Sequence, residues 1–228
     1  MSLKLSHKVA VVTGASSGLG KAIVERLSAE GVIVIALART VEKIALPADV
    51  IKIVLNIRDL QSIDDTFKLI DNQTDKIDIL VNCAGRGLTK NLEDTTREEI
   101  MDILGVNLKG NIYIAQEVYK RMLKANVGHI INVSSTTGLK ARANEPIYAA
   151  SKWGLRGFTE SLRLAALEHN IRVTGIYPGG MQTAFWDNEA TRDTSAFMKP
   201  GDVADVIIGV LKTPPSIAPT EYVIERGF

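Results

Sequence analysis

Short runs of β-branched and other apolar residues alternate along this chain with longer stretches in which apolar positions recur every three or four residues. Residues 9–12, 32–36, 51–55, 77–81, 130–133, 173–177 and 222–224 predict strands. Several are almost continuously apolar, which suits strands covered on both faces of a parallel sheet. Between them, Leu19, Ile23 and Leu27 share one helical face, as do Leu60, Ile63, Phe67 and Ile70 behind a capping Asp59. Leu155, Phe158, Leu162 and Ala165 predict a third such stripe. The stretch 39–50 is short and broken by Pro47, so only a helical stub fits there. Regular strand–helix alternation implies right-handed crossovers and a doubly wound α/β sheet of seven mostly parallel strands, with helices on both faces. No linker or repeat interrupts residues 1–228, which predicts a single domain with one long irregular segment, about 179–200, built into it.

Composition narrows the classes without choosing among them. The 27 Lys and Arg against 26 Asp and Glu leave a formal charge of +1, which argues against a nucleic-acid partner. The apolar runs are too short to span a bilayer, and the first strand begins too early to leave room for a signal peptide. One cysteine, Cys83, excludes an internal disulfide framework, and three scattered histidines give no metal-ligand spacing. A cytoplasmic, metal-free protein is expected.

The first chemical signal is Thr13-Gly14-Ala15-Ser16-Ser17-Gly18-Leu19-Gly20, which leaves the first strand and opens the first helix. Glycines there let the backbone turn tightly and approach a pyrophosphate, whose charge the helix N-terminus favours. A plain strand-to-helix connection could look the same. The absence of a following Gly-Lys-Ser/Thr removes the triphosphatase alternative.

Three further segments accompany this turn in order: Asn82-Cys83-Ala84-Gly85, the set Ser135, Tyr148 and Lys152, and Pro178-Gly179-Gly180-Met181-Gln182-Thr183. With them the chain closely resembles the classical short-chain dehydrogenase/reductase family, over nearly its whole length. The resemblance implies a Rossmann-like fold and a nicotinamide dinucleotide held by Gly14, Ser16, Ser17, Gly18, Leu19 and Gly20. It further implies Asn56 and Ile57 at the adenine, Asn82, Ala84 and Gly85 near the adenosine half, and Pro178, Gly179, Met181 and Thr183 at the nicotinamide. Asn82 would stabilise the central strands, and Cys83, replacing the family's second asparagine, reads as a small buried hydrophobe.

Tyr148 and Lys152 stand four apart at the start of a helix, hence on one face, behind a Pro146 that suits a first turn. A free phenol titrates near 10. An ammonium about 4 Å away at an effective dielectric near 20 would supply about 4 kcal/mol, roughly three pKa units. That would make Tyr148 a general acid–base. The family pattern selects Ser135, thirteen residues earlier, to hydrogen-bond the substrate carbonyl, leaving Ser134 structural. It makes Asn107 the fourth member, holding a water near Lys152; a buried asparagine satisfied by backbone is the plainer reading.

The second strand ends Ala36-Leu37-Ala38-Arg39, with no carboxylate for a ribose 2′-hydroxyl. A guanidinium there suits a 2′-phosphate, so NADP is expected over NAD, although Ser17 is not the second cation common among NADP-preferring relatives. Phe185, Trp186, Phe197 and Met198 could form an apolar lid or an oligomer interface. Arg86, Lys140 and Arg142 are expected to be solvated rather than to bind an acidic substrate. The leading expectation is hydride transfer between NADP(H) and a small alcohol or carbonyl, in a homo-oligomer (dimer or tetramer) paired through residues 107–125 and 152–169. A catalytically idle NADP(H)-binding sensor or scaffold is the alternative. Methyl transfer from S-adenosylmethionine would leave the tyrosine–lysine pair unexplained.

Overall fold

The computed structural model describes residues 3–183, 185 and 193–227. Seven strands, β1 (Val9–Thr13), β2 (Ile33–Ala38), β3 (Ile51–Val54), β4 (Ile79–Asn82), β5 (Gly128–Val133), β6 (Ile171–Pro178) and β7 (Glu221–Ile224), form one sheet in the order β3-β2-β1-β4-β5-β6-β7. Every pairing is parallel, so the expected sheet is present and its parallel character is complete.

The helices are α1 (Gly18–Ala29), α2 (Leu60–Asp71), α3 (Arg97–Leu104), α4 (Asn111–Ala125), α5 (Pro146–Ala165) and α6 (Pro200–Leu211). Alternation along the strands divides the core in two. Ala10, Val12, Val34 and Ala36 point to one face and pack with Ile23 and Leu27 of α1 and Ile207 and Leu211 of α6. Val9, Val11, Ile35 and Leu37 point to the other and pack with Phe67 of α2 and Ile114 and Val118 of α4. Each such Val, Leu, Ile or Phe side chain is worth roughly 1.5–3 kcal/mol when fully buried.

Two stripe assignments shift. Leu60 is exposed, because α2 begins there and Asp59 caps it through Gln61 N; the buried stripe is Ile63, Thr66, Phe67 and Ile70. Ala165 is exposed and Ala166 buried, since α5 ends at Ala165 and the chain turns inward one residue later. The stub between β2 and β3 is a single 3-10 turn, Val41–Lys43. No described helix is long and apolar enough to cross a membrane.

Strand order reverses between β1 and β4, and the crevice lies at their carboxyl ends. Open parallel sheets bind ligands at such a point.

Candidate active site

The crevice is a cavity of about 450 Å³, within the range of small-ligand and cofactor sites. At one end β1 delivers its glycine turn. Gly14 has φ +69°, and a Cβ on it would stand 2.9 Å from the Ala84 Cα, so both conformation and space require glycine. The Thr13 hydroxyl accepts from Cys83 N at 3.0 Å and Ala84 N at 3.1 Å, tying the tip of β1 to the segment after β4. At Gly20 a Cβ would fall 2.2 Å from the Gly14 carbonyl oxygen. Backbone is thus left bare at the N-terminus of α1, which is what an approaching pyrophosphate needs.

Residues 14 and 16–20, Arg39, Asn56, Ile57, Ala84, Gly85, Pro178, Gly179, Met181 and Thr183 all line this one cavity, together with Ser135, Tyr148 and Lys152. The loop after β6 meets the glycine turn directly, with Thr183 Cγ2 only 3.1 Å from where a Gly18 Cβ would be. Arg39 is exposed at the end of β2. Asn56 accepts a backbone bond from Arg58 N, and Arg58 also lines the cavity. A glycine cradle at one end and the Ser135, Tyr148 and Lys152 side chains at the other fit a dinucleotide.

Asn82 and Asn107 stand behind the wall. Asn82 is fully buried and donates to Asn111 O at 3.1 Å and Asn132 Oδ1 at 3.0 Å, a brace between β4, β5 and α4. Asn107 lies in the π-helical segment Gly105–Gly110. Its Oδ1 accepts from Arg86 N at 2.7 Å, and its Nδ2 donates to Arg86 O at 2.8 Å and Ser151 Oγ at 3.1 Å. These bonds clamp the strand-to-loop exit onto α5, as the plainer reading of a buried asparagine has it. A Cβ on Gly85 would lie 3.6 Å from both Asn107 Oδ1 and Lys152 Nζ, so the two converge beneath that glycine.

At the reacting end, Ser135 leaves β5 in extended conformation and its hydroxyl accepts from Thr137 N at 3.1 Å. It stands close enough to the Tyr148 phenol to ease its ionisation. Ser134 turns away and donates to Lys152 O. Lys152 donates to Val133 O at 3.2 Å, with Nζ 5.8 Å from the Tyr148 ring centroid.

Burial governs both titrations. It pushes the Tyr148 phenol above its ordinary value, against the lowering by Ser135; Glu145 raises it further and Arg142 lowers it. It brings the Lys152 ammonium down to about 8, opposed in part by Cys83. The expected depression of the phenol by a lysine at 4 Å is therefore not what this geometry gives. Desolvation of the phenol outweighs the other contributions, which come from Ser135, Glu145 and Arg142 rather than from Lys152. The Cys83 thiol is pushed up to about 12 by burial and is inert as a nucleophile.

Around the tyrosine the walls are side chains. Phe185 meets the Tyr148 ring edge-on at 5.6 Å between centroids, and Gly87 leaves room for it. Phe197 packs at Gly180, and the backbone of Met198 pairs with Gly180 and Gln182. Trp186 lies outside the described residues. Arg86 and Arg142 line the cavity and Lys140 does not; Arg86 is paired with Asp102 and Arg142 with Glu145. Glu145, Arg58 and Thr137 are lining residues that no motif announces, although Glu145, three before Tyr148, shares its helical face. Among the described residues no three His, Cys, Asp or Glu side chains group to hold a metal ion.

An α/β crevice joining a glycine cradle to a Ser–Tyr–Lys set suits a nicotinamide-dependent oxidoreductase. A family model described as short chain dehydrogenase matches residues 8–194, and the chain belongs to that family. An uncharacterized oxidoreductase of Staphylococcus epidermidis is 30% identical over 228 residues, covering 97% of this chain and 98% of that one. Among solved structures, a closed serine dehydrogenase complexed with NADP+ superposes with TM-score 0.89 at 29% identity, covering 95% and 94% of the two chains. A 4-hydroxyisoleucine dehydrogenase complexed with NADH shares the fold at TM-score 0.88 and 24% identity, covering 97% and 98%.

Proposed function

We propose that this protein transfers a hydride between NADP(H) and a small alcohol or its carbonyl counterpart, with Tyr148 as the acid–base. The observation that carries this reading is the convergence of Ser135, Tyr148 and Lys152 on one wall of the cavity whose far end is the glycine turn. When bound, the nicotinamide supplies or accepts the hydride. Ser135 orients the substrate oxygen and stabilises charge on it. Tyr148 gives or takes the proton at that oxygen, with Ser135 favouring its ionised form. Lys152, anchored on Val133 O beneath the phenol, holds positive charge where phenolate forms. Asn107 keeps the Arg86 backbone and the Ser151 hydroxyl in place and is proposed to position a water toward Lys152. Phe185 excludes solvent from the tyrosine.

Arg39 supports NADP as the cofactor. It is exposed at the tip of β2, lines the cavity, and has no carboxylate beside it in the sequence to accept ribose hydroxyls. The NADP+ bound to the similar serine dehydrogenase is consistent with that choice. We place the enzyme in the cytoplasm as one domain that pairs into dimers or tetramers through α4 and α5; exposed Trp153, Leu164 and Leu167 suit such a surface.

Parallel titration with NADPH and NADH, followed by hydride-transfer assays over alcohols and carbonyls, tests the reading. NADPH should bind the more tightly, and Tyr148→Phe should lower turnover by about 1,000-fold or more while leaving NADPH affinity within about threefold. Unchanged turnover in Tyr148→Phe would remove the tyrosine from the mechanism. Tight NADPH binding with no transfer to any substrate would instead favour an idle sensor or scaffold.

A further inference from the structure

Among the described residues that line the cavity, Glu145 is the one carboxylate. It is only 4% exposed and stands at the N-cap of α5, one helical turn before Tyr148. Its side chain does not cap the helix. Oε2 accepts from the Thr137 hydroxyl at 3.1 Å. Oε1 lies 3.6 Å from Arg142 Nη1, an ion pair longer than a hydrogen bond, and the Arg142 side chain is 47% exposed.

An ionised carboxylate has about four acceptor sites, and taking it out of water is costly unless they are filled. Here one hydroxyl and one loose, solvent-facing guanidinium do the filling. Other cations that line the cavity have partners of their own. Lys152 is committed to Val133 O, and Arg86 shares Asp102 with Arg58. A neutral alcohol seated against Tyr148 would displace water from Glu145 and return nothing. An alcohol with a neighbouring ammonium would return a full charge-assisted hydrogen bond.

We infer that the substrate carries an ammonium group beside the reacting carbinol, and that Glu145 binds this ammonium while Tyr148 and Ser135 engage the oxygen. This rests on the hydride-transfer function proposed above. Glu145 is then the residue that sets specificity, and Thr137 fixes its rotamer.

The test uses the purified enzyme with NADP+ and a pair of near-isosteric alcohols, 1-amino-2-propanol and 2-butanol. The wild type should favour the amine in kcat/KM by at least about 30-fold, equivalent to about 2 kcal/mol, and Glu145→Gln should bring that ratio close to unity. Gln keeps an acceptor for Thr137, so a residue that only braces the helix would lower both rates together and leave the ratio unchanged; that result overturns the inference. Glu145→Asp, which keeps the charge, should retain the amine preference if the Gln variant fails to fold, and loss of the preference in Glu145→Asp while 2-butanol turnover persists would also count against it. A wild type that oxidises 2-butanol as well as the amine overturns this inference and leaves hydride transfer standing. A wild type that transfers hydride with no alcohol or carbonyl overturns both.

Discussion

The two ends of the cavity are built from different materials. The end formed by β1, α1 and β2 is mostly backbone: a glycine at φ +69°, a second glycine against a carbonyl, and a helix N-terminus. The reacting end is made of side chains delivered by separate segments, with Ser135 after β5, Glu145 at the N-cap of α5, Tyr148 and Lys152 on α5, and Phe185 after β6. A backbone cradle must be rigid but carries little unfavourable charge. The side-chain end buries a phenol, an ammonium and a carboxylate together, and so carries an energetic cost that the cofactor end does not.

The sharpest way to break that comparison is Lys152→Met. Holding the Lys152 ammonium at about 8 rather than its ordinary 10.5 costs about 3 kcal/mol of stability at neutral pH. The folded value lies below the unfolded one, so the unfolded chain binds the extra proton between pH 8 and 10.5. The cost is therefore present in full below pH 8 and vanishes as the pH rises toward 10.5. Lys152→Met should stabilise the cofactor-free protein by up to about 3 kcal/mol in urea unfolding at pH 7, and by almost nothing near pH 10.5. The same variant should lose turnover by about 100-fold or more. A variant less stable than wild type at pH 7 would show that the ammonium contributes to the fold rather than burdening it.

Gly14→Ala is the matching test at the cofactor end. A left-handed φ costs an alanine about 1–2 kcal/mol, and the new Cβ meets the backbone of Ala84 at 2.9 Å. NADPH affinity by fluorescence titration should fall about 100-fold, with stability lowered rather than raised. Arg39→Ala should follow with a smaller effect, about a 10- to 100-fold loss of NADPH affinity and less than a twofold change for NADH. Equal losses for both cofactors would mean that Arg39 does not meet a 2′-phosphate.

The same difference in material explains what could be read from the chain. All seven strands were legible: in the inner ones burial on both faces leaves runs such as residues 9–12 with no polar position, whereas the largely exposed β7 shows only as a short β-branched and aromatic run. The glycine turn was legible because few residue types can serve there. Helix ends were less so: Leu60 and Ala165 fit the apolar period yet fall outside the buried stripes, where the cap at Asp59 and the end of α5 take over. The role of Asn107 as a clamp on Arg86 depends on two backbone bonds that no spacing predicts. Glu145 and Phe185 carry no motif. A glutamate one turn before a tyrosine is ordinary on a solvated helix, and no spacing announces that this one is buried with Thr137 of the Thr136–Gly138 turn bonded to it.

Phe185 gives the smallest effect and the most selective one. Its ring meets Tyr148 edge-on at 5.6 Å, an arrangement worth about 0.5–1.5 kcal/mol beyond the area it covers. Phe185→Ala should lower kcat/KM by about 2- to 10-fold while leaving NADPH affinity unchanged, because the glycine cradle lies at the other end of the cavity. Gly87→Ala offers an independent route to the same state, since its Cβ would fall 2.5 Å from the Phe185 Cζ and force the ring aside. If Phe185 acts by covering the tyrosine, the two substitutions share one cause. The double variant should then be no slower than the worse of the singles. Multiplicative losses would mean that Gly87 serves the substrate in its own right, and the division between a backbone end and a side-chain end would not hold at that point.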